Sequence, residues 1–151
     1  METTNEKNLA TFIHLSTLSQ YFIPLGNYIF PLLIWNSKKD GSEFVDYHGK
    51  QVLNFQLSLL LYSLILAMIA IPIFVITVFS TISLNTMMND EDFMVNHFST
   101  ENITGIVIVA LIALFILIGL KIVEFFLIIY ASLKASNGEK YKYPLTIQFI
   151  K

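Results

Sequence analysis

The chain has 151 residues, 55% hydrophobic and 13% charged, with a net charge of −2. Soluble domains carry roughly 25% charged residues, so this much apolar surface needs lipid as its solvent, and the length leaves room for one domain. Cysteine and arginine are absent. That excludes disulfides, thiolate chemistry and cysteine-based metal sites, argues against bidentate phosphate or carboxylate recognition, and gives no nucleic-acid signature.

The start, METTNEKNLA, lacks the basic front, short apolar stretch and small-residue cleavage site of a secretory signal. It reads as mature protein. Residues 8–36 read as two short helices broken at Pro24-Leu25-Gly26. Each is short for a full span. The preferred arrangement is a hairpin that dips in and returns, leaving the N-terminus cytoplasmic; one kinked helix crossing once is the alternative. Trp35 and Tyr28 suit the membrane interface. SKKDGS, residues 37–42, is a turn, and Ser42 with Glu43 after it is a helix start.

From there one helix is expected over about 43–84. Its first part, to residue 56, is the cytoplasmic threshold, and residues 57–84 form a transmembrane span with no charge between Lys50 and Asp90. Pro72 should kink it. Residues 85–102 hold Asp90, Glu91, Asp92 and Glu101 but no lysine, whereas lysines cluster before the first span and after the second. The positive-inside rule therefore places 85–102 outside and both termini in the cytoplasm. Asn102-Ile103-Thr104 matches a glycosylation sequon, but Thr100 or Asn102 suits a helix N-cap better. The second transmembrane helix covers about 102–135, with its apolar part at 103–133, and a cytoplasmic tail follows over 134–151. Asn137-Gly138 can end that helix. The expected fold is an all-α membrane bundle forming a single domain.

FVDYHGKQVLNFQ, residues 44–56, is the polar exception beside the longest apolar run. Helical spacing separates Asp46 from His48, so they cannot chelate one metal from this helix. His48 shares a stripe with Phe44, Val52 and Phe55. It reads as a packed histidine bonded to a backbone carbonyl. Asn54, on the stripe of Glu43, Tyr47, Gln51 and Ser58, is expected to bond across to a neighbouring segment. Gly49 implies close approach of another segment. His14 reads as a structural hydrogen-bonding residue. Lys121 and Glu124 are three apart on one helix face. Either Lys121 snorkels at the cytoplasmic boundary, or the two form a buried pair in an ion path. Phosphate loops and hydrolase motifs are absent from the sequence, so no enzyme, cofactor or metal is expected.

Three stretches, IHLSTLS at 13–19, IFPLLIWNSKKD running into FVDYHGKQVLNFQ at 29–56, and LKASNGEKYKYPL at 133–145, together resemble a small bacterial membrane-protein family. That family includes the magnetosome proteins MamF and MmsF and is distantly similar to the membrane component of the chloroplast Tic import machinery. The resemblance covers nearly the whole chain. It implies about four membrane helices and no cofactor, with family-motif positions at His14, Leu15, Pro31, Trp35, His48, Asn54, Phe55, Gly138, Tyr143 and Pro144. The function expected is a non-enzymatic protein of the bacterial inner membrane acting in scaffolding, assembly or translocation through a protein partner or self-association. The competing expectation is a small transporter or channel subunit using Lys121 and Glu124.

Overall fold

The computed structural model describes residues 2–81 and 100–151, with side chains at 2–76, 107–108 and 110–151. The pattern T-x-x-E at Thr3–Glu6 is a capping box. The Thr3 hydroxyl accepts from the Glu6 N–H at 3.3 Å, and the Glu6 carboxylate accepts from the Thr3 N–H at 2.8 Å. Helix α1 (Thr4–Ser16) follows at once, ahead of the start expected near residue 8. It then tightens into a 3-10 segment, Thr17–Tyr21. Here the hydroxyls of Ser16, Thr17 and Ser19 donate back to the carbonyls of Ile13, His14 and Ser16 at 2.6–2.7 Å, drawing acceptors away from the regular helical ladder.

Pro24 and a left-handed Leu25 (φ 62°) reverse the chain into α2 (Gly26–Lys38). Any Cβ at residue 26 would overlap Ser19, so glycine lets the turn close. The two helices pack on each other, which makes residues 4–38 a hairpin rather than one kinked helix. A 3-10 turn, Lys39–Gly41, then leads to Ser42, whose hydroxyl accepts from the Val45 N–H at 3.3 Å.

Two long helices complete the fold, α3 (Glu43–Thr81) and α4 (Thr100–Ser136). Helix α3 continues on both sides of Pro72. Within them, Glu43–Ile76 and Ala110–Ser136 are long and apolar enough to cross a membrane. At about 1.5 Å per residue both exceed the ~30 Å hydrocarbon core. Among the described residues every regular element is helical. The acidic segment expected outside falls largely on residues beyond those described; Thr100–Asn102 already belong to α4.

The chain forms two compact units, Met1–Tyr62 with Ile122–Lys151, and Ser63–Lys121. The second turns large apolar side chains outward, among them Met68, Ile71, Leu111 and Phe115. Contiguous apolar surface of this kind is stable in lipid and a liability in water. The first unit holds the core: Ile13, Trp35, Val45, Val52, Leu53, Phe55, Ala131 and Tyr143, with Ala10, Phe44 and Ala135 beside it. Trp35 is packed within the protein. Only 9% exposed, it lies in this core and donates its indole N–H to Asp46 Oδ1 at 2.9 Å.

Gly49 is what admits that indole, since a Cβ there would overlap Trp35 Cγ, Cδ1 and Cβ. Gly49→Ala is therefore expected to destabilise the detergent-solubilised protein by about 1–3 kcal/mol. It should also shift the emission of Trp35, the sole tryptophan. An added Cβ at Gly119 meets open space, so Gly119→Ala should be neutral or stabilising by up to about 1 kcal/mol. Fluorescence-monitored thermal unfolding of both variants checks the contrast.

Candidate functional site

Helix α1 presents His14, the start of α3 presents His48, and the segment after α4 presents Tyr143. All three are at most 2% exposed. His14 Nδ1 lies 2.8 Å from Tyr143 Oη, and His14 Nε2 lies 2.8 Å from His48 Nδ1. The chain can bring Tyr143 here because α4 stops cleanly. Gly138 takes φ +81°, its N–H bonds Ala135 O at 2.9 Å, and the Glu139 N–H bonds Lys134 O at 3.0 Å. Those two bonds form a Schellman cap. Tyr143 then stacks on Phe55, with centroids 4.1 Å apart and planes 6° from parallel.

The protonation pattern follows from burial. Burial, and then the facing His48, hold the His14 imidazole well below its usual range. Burial, with Tyr141 and Glu124 adding to it, pushes the Tyr143 phenol well above its own. Neutral groups each offer one donor and one acceptor. Two donor chains satisfy both contacts, one running from the Tyr143 O–H through His14 to His48 Nδ1 and one running the opposite way. The main chain of Glu139 beside His48 favours the first, which leaves the His48 proton on Nε2. That nitrogen makes no hydrogen bond of good geometry, and neither does the buried Gln51 Oε1. His48 is packed, as expected, and besides the main chain of Glu139 it faces another imidazole.

A second network surrounds Glu124, which is 2% exposed. Its Oε1 accepts from Gln20 Nε2 at 3.0 Å and Gln56 Nε2 at 3.2 Å, while Gln56 Oε1 accepts from Asn27 Nδ2 at 2.7 Å. Lys121, in contrast, is exposed. Gln20, Asn27 and Gln56 escape sequence reading, although amides inside apolar runs such as PLGNYIF are a visible signal.

The third network fastens the tail. Asn54 Oδ1 accepts from the Phe149 and Ile150 N–H groups at 3.0 and 2.8 Å, and Asn54 Nδ2 donates to Ile150 O at 2.9 Å. One turn on, Ser58 Oγ accepts from the Ile147 N–H at 2.9 Å, and a further turn on Tyr62 Oη donates to Leu145 O at 2.7 Å. Spaced four apart, these side chains share one face of α3 and replace the backbone ladder that an extended tail would otherwise need. The remaining motif positions are peripheral. Pro31 is buried in α2, Leu15 is half-buried, and Pro144 is exposed at the turn before the tail.

Chemically, these networks join segments and hold protons. Among the described residues no group of three His, Cys, Asp or Glu side chains could hold a metal ion.

Asn54→Leu removes three tail contacts, and we expect it to cost about 1–3 kcal/mol. Amide exchange at Ile147, Phe149 and Ile150 should accelerate; unchanged exchange there would contradict the strap. A pH effect follows from His14, which is neutral when folded and takes up a proton near pH 6.5 when unfolded. Its contribution is complete above that pH and is lost as pH falls below it, by up to about 1.4 kcal/mol per unit. Unfolding midpoints measured from pH 7.5 to 5.0 should fall, and His14→Phe should flatten the dependence.

No curated protein and no solved structure matches the chain. A family model does, the magnetosome magnetite crystal formation protein family, over residues 5–150. That span takes in all three networks, from α1 to the strapped tail. The protein belongs to the MamF/MmsF family.

Proposed function

We propose that this chain is a non-enzymatic integral membrane protein working through protein association, as a scaffold, assembly or translocation-accessory component. The observation that carries the reading is where its polar chemistry goes. His14, His48, Tyr143 and Asn54 bond to one another or to the chain's own tail. The unit they lock has an ionic rim of exposed Lys38, Asp40, Glu43, Glu139, Lys140 and Lys142, with Lys140 reaching Glu43 at 3.0 Å. A fixed pattern of surface charge supports docking by steering and orienting a partner. Lysine at this end, under the positive-inside rule, supports both termini in the cytoplasm of a bacterial inner membrane. The description of the family as one of magnetite crystal formation in magnetosomes supports membrane organisation as the process served.

Glu124 favours a second reading, a small ion or solute transporter subunit. A buried carboxylate on a membrane helix, set among the amides of Gln20 and Gln56, is where an ion path would be sought.

Lysine-reactive cross-linking in native membranes is expected to trap a discrete species through Lys38, Lys140 or Lys142. Charge reversal at those lysines should abolish it, and an uncross-linked monomer would contradict association. In proteoliposomes the protein and its Glu124→Gln variant should both show the flux of empty vesicles. A parent flux that Glu124→Gln removes would replace the scaffold with the transporter.

A further inference from the structure

The tip of the α1–α2 hairpin has its polarity reversed. Gln20 and Asn27, the amides that flank the turn, point inward to Glu124 and Gln56. Apart from the Tyr21 phenol, the side chains pointing outward at the tip are apolar: Phe22 is 87% exposed and Leu25 65%. Ile29, Phe30 and Leu33 continue that surface along α2. No charged residue lies between Lys7 and Lys38.

The turn also satisfies five of its own N–H groups. The Phe22 and Ile23 N–H groups bond Ser19 O at 3.0 and 2.9 Å, the Gly26 N–H bonds Ile23 O at 3.0 Å, and the Tyr28 and Ile29 N–H groups bond Leu25 O at 3.0 and 3.1 Å. Pro24 has no N–H to satisfy. A turn in water has no need of this, whereas a turn in hydrocarbon must satisfy its polar groups internally. From the tip to Lys38, α2 has 13 residues, about 20 Å, against a core of ~30 Å. The arm is too short to cross that core.

We propose that residues 21–33 form a re-entrant membrane hairpin whose tip is covered by lipid acyl chains. It is a third membrane contact of this chain, made from the same side as residues 5 and 40. Leu25 fits this role: its left-handed backbone, costly for a residue with a Cβ, aims a leucine outward where only an apolar medium rewards it. A protein partner covering the same surface is the outcome the test must separate.

The absence of cysteine from the chain makes the test direct. Single cysteines replace Asn5, Phe22, Leu25 and Asp40, with Ile69→Cys and Ile118→Cys as span controls, in purified protein reconstituted into vesicles. Positions 22 and 25 should resist a membrane-impermeant maleimide from both sides until detergent is added. Nitroxides there should collide freely with oxygen and rarely with a water-soluble nickel complex. Positions 5 and 40 should label from one common side. Labelling of 22 or 25 by the impermeant reagent, opposite sidedness of 5 and 40, or low collision with both quenchers at the tip would each overturn the proposal; the last outcome indicates protein cover. Water access at 69 and 118 as well would instead overturn the assignment of α3 and α4 to the membrane. Because Phe22 and Leu25 are exposed, Trp35 emission should match the parent, confirming that the variants fold.

Discussion

An imidazole buried away from water needs a partner for each nitrogen, and His14 finds both only where three segments meet. Its two bonds tie α1 to α3 on one side and to the tail on the other. Much of the unit is arranged to make that meeting possible. Gly49 lets Trp35 sit close on α3, so that α2 lies against the same helix. Gly138 stops α4 in time for the chain to turn back. Phe55 gives the returning Tyr143 a flat surface to stack on. Individual hydrogen bonds contribute only about 1 kcal/mol net, but an orphaned buried group costs about 1–3 kcal/mol. The trio therefore specifies one arrangement more strongly than it stabilises it.

Beyond the trio, the molecule separates two solvents. Amides and hydroxyls of the first unit point inward to Glu124 or to the tail, while apolar side chains of the second unit point outward. In water such a distribution would aggregate. In lipid it is the stable one, because the hydrocarbon offers polar groups no partner. The same logic makes α3 divide its labour: residues 43–63 hold its polar packing residues, and residues 64–76 are apolar all round.

Local features were legible in the sequence because local rules govern them. The two long helices, the Ser42 start, the Gly138 stop and the close approach at Gly49 all follow from spacing or from one residue's backbone preference. The stripe joining Asn54 to Ser58 was equally visible, although not that the tail's own main chain would lie along it. What could not be read were pairings across the chain. His14 and His48 are 34 residues apart, and His14 and Tyr143 are 129 apart; no periodicity encodes either distance. That Trp35 is the group packed against Gly49 is likewise a pairing across the chain. The early start of α1 was readable from Thr3 and Glu6, but the apolar run beginning at residue 8 is the louder signal.

The central claim is that His14 and Tyr143 form one energetic unit. A double-mutant cycle of His14→Leu and Tyr143→Phe, followed by chemical unfolding in detergent, measures it directly. The two losses should not be additive, with a coupling energy of about 0.5–3 kcal/mol. Additive losses would mean that the bond at 2.8 Å does not hold α1 to the tail, and would contradict the account.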